Sequence, residues 1–100
     1  FINLLFINSV NLHIMDKRIL NLRDEIDKID QKIISLIKSR MAVSKKVGKL
    51  KAELDIPIED KKREDQIIQS LARLADGNLT HNQLIRIFSA MFKFSKQLQK

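Results

Sequence analysis

The sequence predicts an all-α chain of three helices, the first of them very long, and three observations carry that reading. Breakers are scarce: of 100 residues, 2 are Gly and 1 is Pro, too few for a loop-rich or strand-rich fold. Apolar residues recur at alternating steps of three and four, at Ile19, Leu22, Ile26, Ile29, Ile33 and Leu36, then at Val43, Val47, Leu50 and Leu54. That spacing is a heptad seam. After residue 16, strong turn signals fall in only two places, Leu54–Glu59 around Pro57 and Asp76-Gly77-Asn78.

The first helix is expected over residues 17–53. At about 1.5 Å per residue it would run about 55 Å, more than a compact domain of this size, with a radius of gyration near ~13 Å, can cover. Its seam then stays open unless another chain covers it, and the economical arrangement is a homodimer of packed long helices. Gly48, inside this helix, costs about 1 kcal/mol relative to Ala and reads as a point of close approach. Pro57 excludes Ile56 from the helical region, so the helix must end before it. A second helix should begin near Asp60, with Asp60 or Glu59 as its N-cap, and carry Ile67, Ile68, Leu71 and Leu74 on one side. Gly77 is the natural left-handed residue after it. The third helix opens on a capping box, Thr80 with Gln83. Its apolar face, Leu84, Ile87, Phe88, Met91 and Phe92, continues into Ser95 and Gln99.

Residues 1–15 carry no Asp, Glu, Lys or Arg, in contrast to the charge-dense remainder. They show neither a basic n-region nor a small-residue cleavage site. Three Asn and a His interrupt a stretch already shorter than the ~18 apolar residues that span a bilayer. The reading is an N-terminal extension, disordered or loosely packed, with Met15 as the natural start and residues 16–100 as the domain. A packed N-terminal element is the alternative. The chain has no Cys, which excludes disulfides and thiolate chemistry and suits a reducing, cytoplasmic setting. His13 and His81 are too far apart in sequence to suggest a histidine metal cluster. The net charge of +7 would serve nucleic acid, an anionic membrane or a small polyanion, but the basic residues are scattered along the chain rather than run together.

The candidate chemistry lies in polar residues on apolar faces. Arg40 occupies a seam position, and a guanidinium that never deprotonates must find an anion or reach water. Lys51 follows it after about three full turns and so shares its face. Asp60, Arg63 and Glu64 cluster at i, i+3 and i+4, and Ser95 and Gln99 lie at i and i+4 on the third helix. Each has a plainer reading: a register device or snorkelling side chain for Arg40, a solvated pair for Arg63 and Glu64, a frayed helix end for Ser95 and Gln99. Their convergence on core-facing positions points to a small-anion pocket. Arg23 lies about 25 Å before Arg40 along the helix and cannot meet the same small ligand in its own chain. In an antiparallel dimer it could enter the other chain's site, or it is an exposed Arg beside Asp24 and Asp27.

Several stretches together resemble the all-helical (AroQ-type) chorismate mutase family: L-R-x-x-I-D-x-I-D-x-x-I at Leu22–Ile33, Arg40, V-G-K-x-K at Val47–Lys51, P-I-x-D-x-x-R-E at Pro57–Glu64, and Ile87-Phe88 through Ser95 to Gln99. The resemblance covers residues 16–100; residues 1–15 have no counterpart in it. It implies an intertwined homodimer whose two sites each borrow an arginine, and the Claisen rearrangement of chorismate to prephenate on the way to phenylalanine and tyrosine. That reaction is pericyclic and needs no metal or cofactor. By the same resemblance, Arg40 and Arg23 of the other chain would hold the substrate carboxylates. Lys51 and Gln99 would meet the ether oxygen, Arg63 would add positive field, Asp60 and Glu64 would meet the hydroxyl, and Ser95 would assist at a carboxylate. Lys93 and Phe94, just before Ser95, stand where the family often has acidic residues.

The sequence also admits two alternatives. An isochorismate-pyruvate lyase shares the implied fold and most of its cations, but Asp60, Arg63 and Glu64 match the mutase pattern residue by residue. A non-catalytic basic helical dimer that binds partners or nucleic acid is the rival from another class. The leading expectation is a cytoplasmic, homodimeric chorismate mutase without a cofactor, acting on neither nucleic acid nor membrane.

Overall fold

A computed structural model describes residues 16–100. The expected extension at 1–15 lies outside the described residues. The fold is all-α: α1 (Lys17–Glu53), α2 (Lys61–Ala75) and α3 (His81–Gln99) follow one another, with no strand among the described residues. The chain divides into two units, and the boundary falls inside α1, between Ile37 and Lys38.

In the first unit α1 begins at a carboxylate. The Arg18 N–H donates to Asp16 Oδ1 at 2.8 Å, which satisfies one of the amides a helix start leaves without a partner. Lys28 and Asp24 pair at 3.0 Å, four residues apart on an exposed face. The seam residues of this unit are open to solvent, from 36 % exposed at Ile19 to 68 % at Leu36.

The second unit holds the rest of α1 with α2 and α3. Its buried apolar residues are Ile68, Leu84 and Phe92. On α3 the covered line runs Leu84, Phe88, Phe92, one residue in four, so it follows a single helix row. Phe88 and Phe92 meet along that row with their rings tilted by 51° and their centroids 6.0 Å apart. Ile87, expected on this face, lies beside the row and is half exposed. Leu74, expected on the apolar side of α2, stands in the helix's last turn and is 79 % exposed.

The helix ends show what stops each element. After α1 the chain closes a Schellman turn: Ile56 N–H donates to Lys51 O at 2.9 Å and Asp55 N–H to Ala52 O at 3.4 Å. Asp55 takes the left-handed conformation this requires, with φ of 56°, so the break comes two residues before Pro57. Asp60 caps α2 through its side chain, accepting from Arg63 N–H at 2.9 Å. At the other end of α2 the left-handed turn begins at Asp76 (φ 49°) and continues through Gly77 (φ 79°). Thr80 and Gln83 form the expected capping box, with reciprocal bonds of 3.1 and 2.9 Å.

Candidate active site

A half-open cavity of about 270 Å³ lies within the second unit, near the lower end of the ~300–1,000 Å³ usual for small-molecule sites. One turn after another of α1 supplies Arg40, Val43, Ser44, Val47 and Lys51. Ile58 and Asp60 come from the connecting segment, and Arg63, Glu64 and Ile67 from the start of α2. From α3 come Phe92, Ser95, Lys96 and Gln99.

Arg40 is half-buried and engaged on two sides. Its Nη1 donates to Ser95 Oγ at 2.7 Å, and its Cζ lies 5.7 Å from the centroid of the Phe92 ring, within cation–π range. Ser95, buried, also accepts from Ser44 Oγ at 3.1 Å. With two donors on its oxygen, the Ser95 proton is left for Met41 Sδ, 3.8 Å away, a weak acceptor. The Arg in the seam is thus drawn inward by a hydroxyl and an aromatic face, which compensate what its partial burial costs.

Arg40, Ser44, Gly48 and Lys51 fall on one face of α1 at steps of four, four and three. Gly48 is the close approach the sequence suggested. A Cβ there would stand 2.5 Å from Gln99 Cα and 2.9 Å from its Cβ and Cγ, so only a bare Cα lets the end of α3 lie so close. Beside it, Lys51 Nζ donates to Ile58 O at 3.0 Å and to Gln99 Oε1 at 3.4 Å. With its oxygen so engaged, the Gln99 amide keeps its NH₂ as a donor.

Asp60 divides its work. Its Oδ1 caps α2, while the residue still lines the cavity. Arg63 is exposed, and its guanidinium has no hydrogen bond or ion pair among the described residues. The expected grouping of Arg63 with Glu64 does not form an ion pair. Glu64 turns to Lys96 instead, with Nζ 3.3 Å from Glu64 Oε2.

All the sequence candidates except Arg23 therefore line this one cavity; Arg23 belongs to the first unit and is not among its lining residues. Two lining residues, Ser44 and Lys96, were not anticipated. Ser44 could have been found as the small polar residue midway between Arg40 and Gly48. Lys96 had no comparable signal, because its carboxylate partners are more than thirty residues away in sequence.

The polar lining carries four cations, Arg40, Lys51, Arg63 and Lys96, against two carboxylates, Asp60 and Glu64. That excess between apolar walls suits a small polyanion. Among the described residues no group of three or more His, Cys, Asp or Glu could hold a metal ion, and no helix is long and apolar enough to cross a membrane.

Fold and cavity together define an all-α protein whose second unit gathers cationic and amide side chains from all three helices around one cavity. The chain belongs to the chorismate mutase type II family, whose model matches residues 22–100. It is 37 % identical over 87 residues to the chorismate mutase of Methanocaldococcus jannaschii, covering 86 % of this chain and 88 % of that one. It is 30 % identical over 83 residues to a bifunctional chorismate mutase/prephenate dehydratase of Aquifex aeolicus, covering 79 % of this chain and 23 % of that longer protein. Among solved structures it is similar to a conserved hypothetical protein from Pyrococcus furiosus, with a TM-score of 0.69 and 36 % identity over 85 % of this chain and 99 % of that one.

Proposed function

We propose that this chain is a chorismate mutase, converting chorismate to prephenate as a cytoplasmic homodimer. The family match and the near-full-length relative support the activity. The observation that carries the site assignment is the Lys51–Gln99 pair, two donor side chains joined at 3.4 Å in a net-cationic cavity.

The reaction is an intramolecular exchange: the ether C–O bond breaks as a C–C bond forms between the two ends of the same molecule. No proton, electron or group enters or leaves. Catalysis then consists of holding the compact conformer and stabilising charge where it develops. Arg40 and Arg23 of a second copy would each take a carboxylate in a bidentate grip. As the C–O bond lengthens, negative charge grows on the ether oxygen, and the remaining Lys51 proton and the Gln99 NH₂ would meet it. Arg63, with no competing ion pair, would add field, while Asp60 and Glu64 would accept from the substrate hydroxyl. Ser95 would assist at the carboxylate held by Arg40.

The open seam of α1 supports the homodimer. Five half-exposed or more exposed seam residues, Leu22, Ile26, Ile29, Ile33 and Leu36, form an apolar stripe of the kind a partner helix covers. A second copy would also supply the Arg23 that does not line the cavity of its own chain. The deciding experiment is incubation with chorismate and measurement of prephenate. Turnover well above the uncatalysed rate is expected; none above background overturns the proposal.

A further inference from the structure

Lys96 was not among the residues the sequence marked, yet its ammonium bridges two carboxylates from two other parts of the site's frame. Its Nζ lies 3.3 Å from Glu59 Oε1 and 3.3 Å from Glu64 Oε2. One ammonium thus ties three elements: the segment that follows α1, the first turn of α2, and α3 one residue past Ser95. Exposed ion pairs of this kind are usually worth little. Here the Lys96 and Glu64 side chains are only 28 % and 21 % exposed, and both line the cavity. The bridge is therefore partly shielded and built as a network rather than a lone pair.

We infer that Lys96 is a positioning residue for the proposed rearrangement, a clasp that fixes the Glu64 carboxylate so that its free oxygen faces the substrate hydroxyl. The atom assignment supports this. Lys96 engages Oε2 of Glu64, which leaves Oε1 as an acceptor. Without the ammonium, the Glu59 and Glu64 carboxylates, each 3.3 Å from its Nζ, would face one another as like charges and be driven apart. Glu59 anchors the other side of the clasp, and it does not line the cavity. The Lys96 ammonium is raised above the ordinary lysine value, chiefly by its hydrogen bond to Glu59, against a desolvation cost, and further by Glu64. A raised lysine value means the charged form is kept below the lysine range and lost only as pH climbs beyond it, so the clasp is intact at neutral pH.

The inference rests on the mutase reading, and a mutant cycle on prephenate formation tests it. Lys96→Met should lower kcat/KM about tenfold, the scale of one charge-assisted hydrogen bond, mostly in kcat. Lys96→Arg, which keeps the cation and its reach, should restore most of the loss. Adding Lys96→Met to Glu64→Gln should cost nothing beyond Glu64→Gln alone, because the clasp then has nothing to position. A purely structural role would make the two losses additive, and additivity overturns the inference. If Lys96→Met loses its helical circular dichroism, Lys96→Gln takes its place in the same cycle with the same expectation. An active wild type whose Lys96→Met variant matches it overturns this inference alone. An inactive wild type overturns the mutase reading and this inference with it.

Discussion

A methyl group at Gly48 would stand 2.5 Å from the Cα of Gln99, so a close approach between α1 and α3 falls on a residue proposed to meet the breaking bond. Gly48→Ala should gain about 1 kcal/mol in helix propensity and lose about 1–3 kcal/mol to overpacking against backbone. The net lies between no change and a loss of about 2 kcal/mol. Gln99 ends α3, so the helix end yields, the Lys51–Gln99 bond opens, and turnover falls further than stability does. Thermal unfolding and prephenate assay on the same preparation check this; equal turnover in Gly48→Ala and wild type would contradict it.

Lys51→Ala should cut kcat by about 10²-fold or more, the scale of removing one preorganised donor from a developing oxyanion. The same substitution frees Ile58 O and Gln99 Oε1, both of which accept from Lys51. A modest drop in melting temperature should accompany the kinetic loss. A non-catalytic basic dimer would show only a small, salt-dependent change in binding, and a kcat within a few-fold of wild type argues against the role given to Lys51.

Mixing inactive Arg23→Ala and Lys51→Ala chains should restore activity, because each heterodimer would hold one site with both wild-type residues. Arg23→Ala alone should be strongly impaired although the residue does not line its own chain's cavity. Recovered turnover that tracks heterodimer content supports the shared site. Proven chain exchange without recovery rules it out.

Asp55→Gly should stabilise the chain by up to about 1 kcal/mol, since an L-residue in the left-handed conformation is strained by ~1–2 kcal/mol, less for Asp, and glycine is not. Asp55 holds φ at 56° and does not line the cavity. Urea unfolding should therefore move its midpoint up while turnover stays unchanged. A lower midpoint would mean the Asp55 side chain contributes more to the Schellman turn than its backbone costs.

Much of the fold was legible because helix periodicity and caps are local. The 3–4 repeat gave α1 its span, and Thr80 with Gln83 announced α3. The details that escaped are set by packing. Leu74 carries the right spacing, yet it falls in the last turn of α2 and stays in solvent. Pro57 explained why α1 must end, while the ending itself is made earlier by Asp55. In the site, Arg40 betrayed itself as a charge in an apolar seam, and Gly48 as a glycine inside a helix. Lys96 was invisible because a lysine on a basic helix is unremarkable until its long-range partners Glu59 and Glu64 are known.

Ser95 gives the cavity one more property. Its oxygen is occupied by Arg40 and Ser44, while its proton rests on the sulfur of Met41. A thioether is a poor competitor for that proton. An arriving carboxylate would therefore give the hydroxyl a strong bond in place of a feeble one, and the buried hydroxyl has no water to lose. The hydroxyl is in effect a spring-loaded donor, held in reserve by the softest atom in its neighbourhood. Oxidation of Met41 would convert that sulfur to a sulfoxide, a far stronger acceptor, and would leave the spring already discharged.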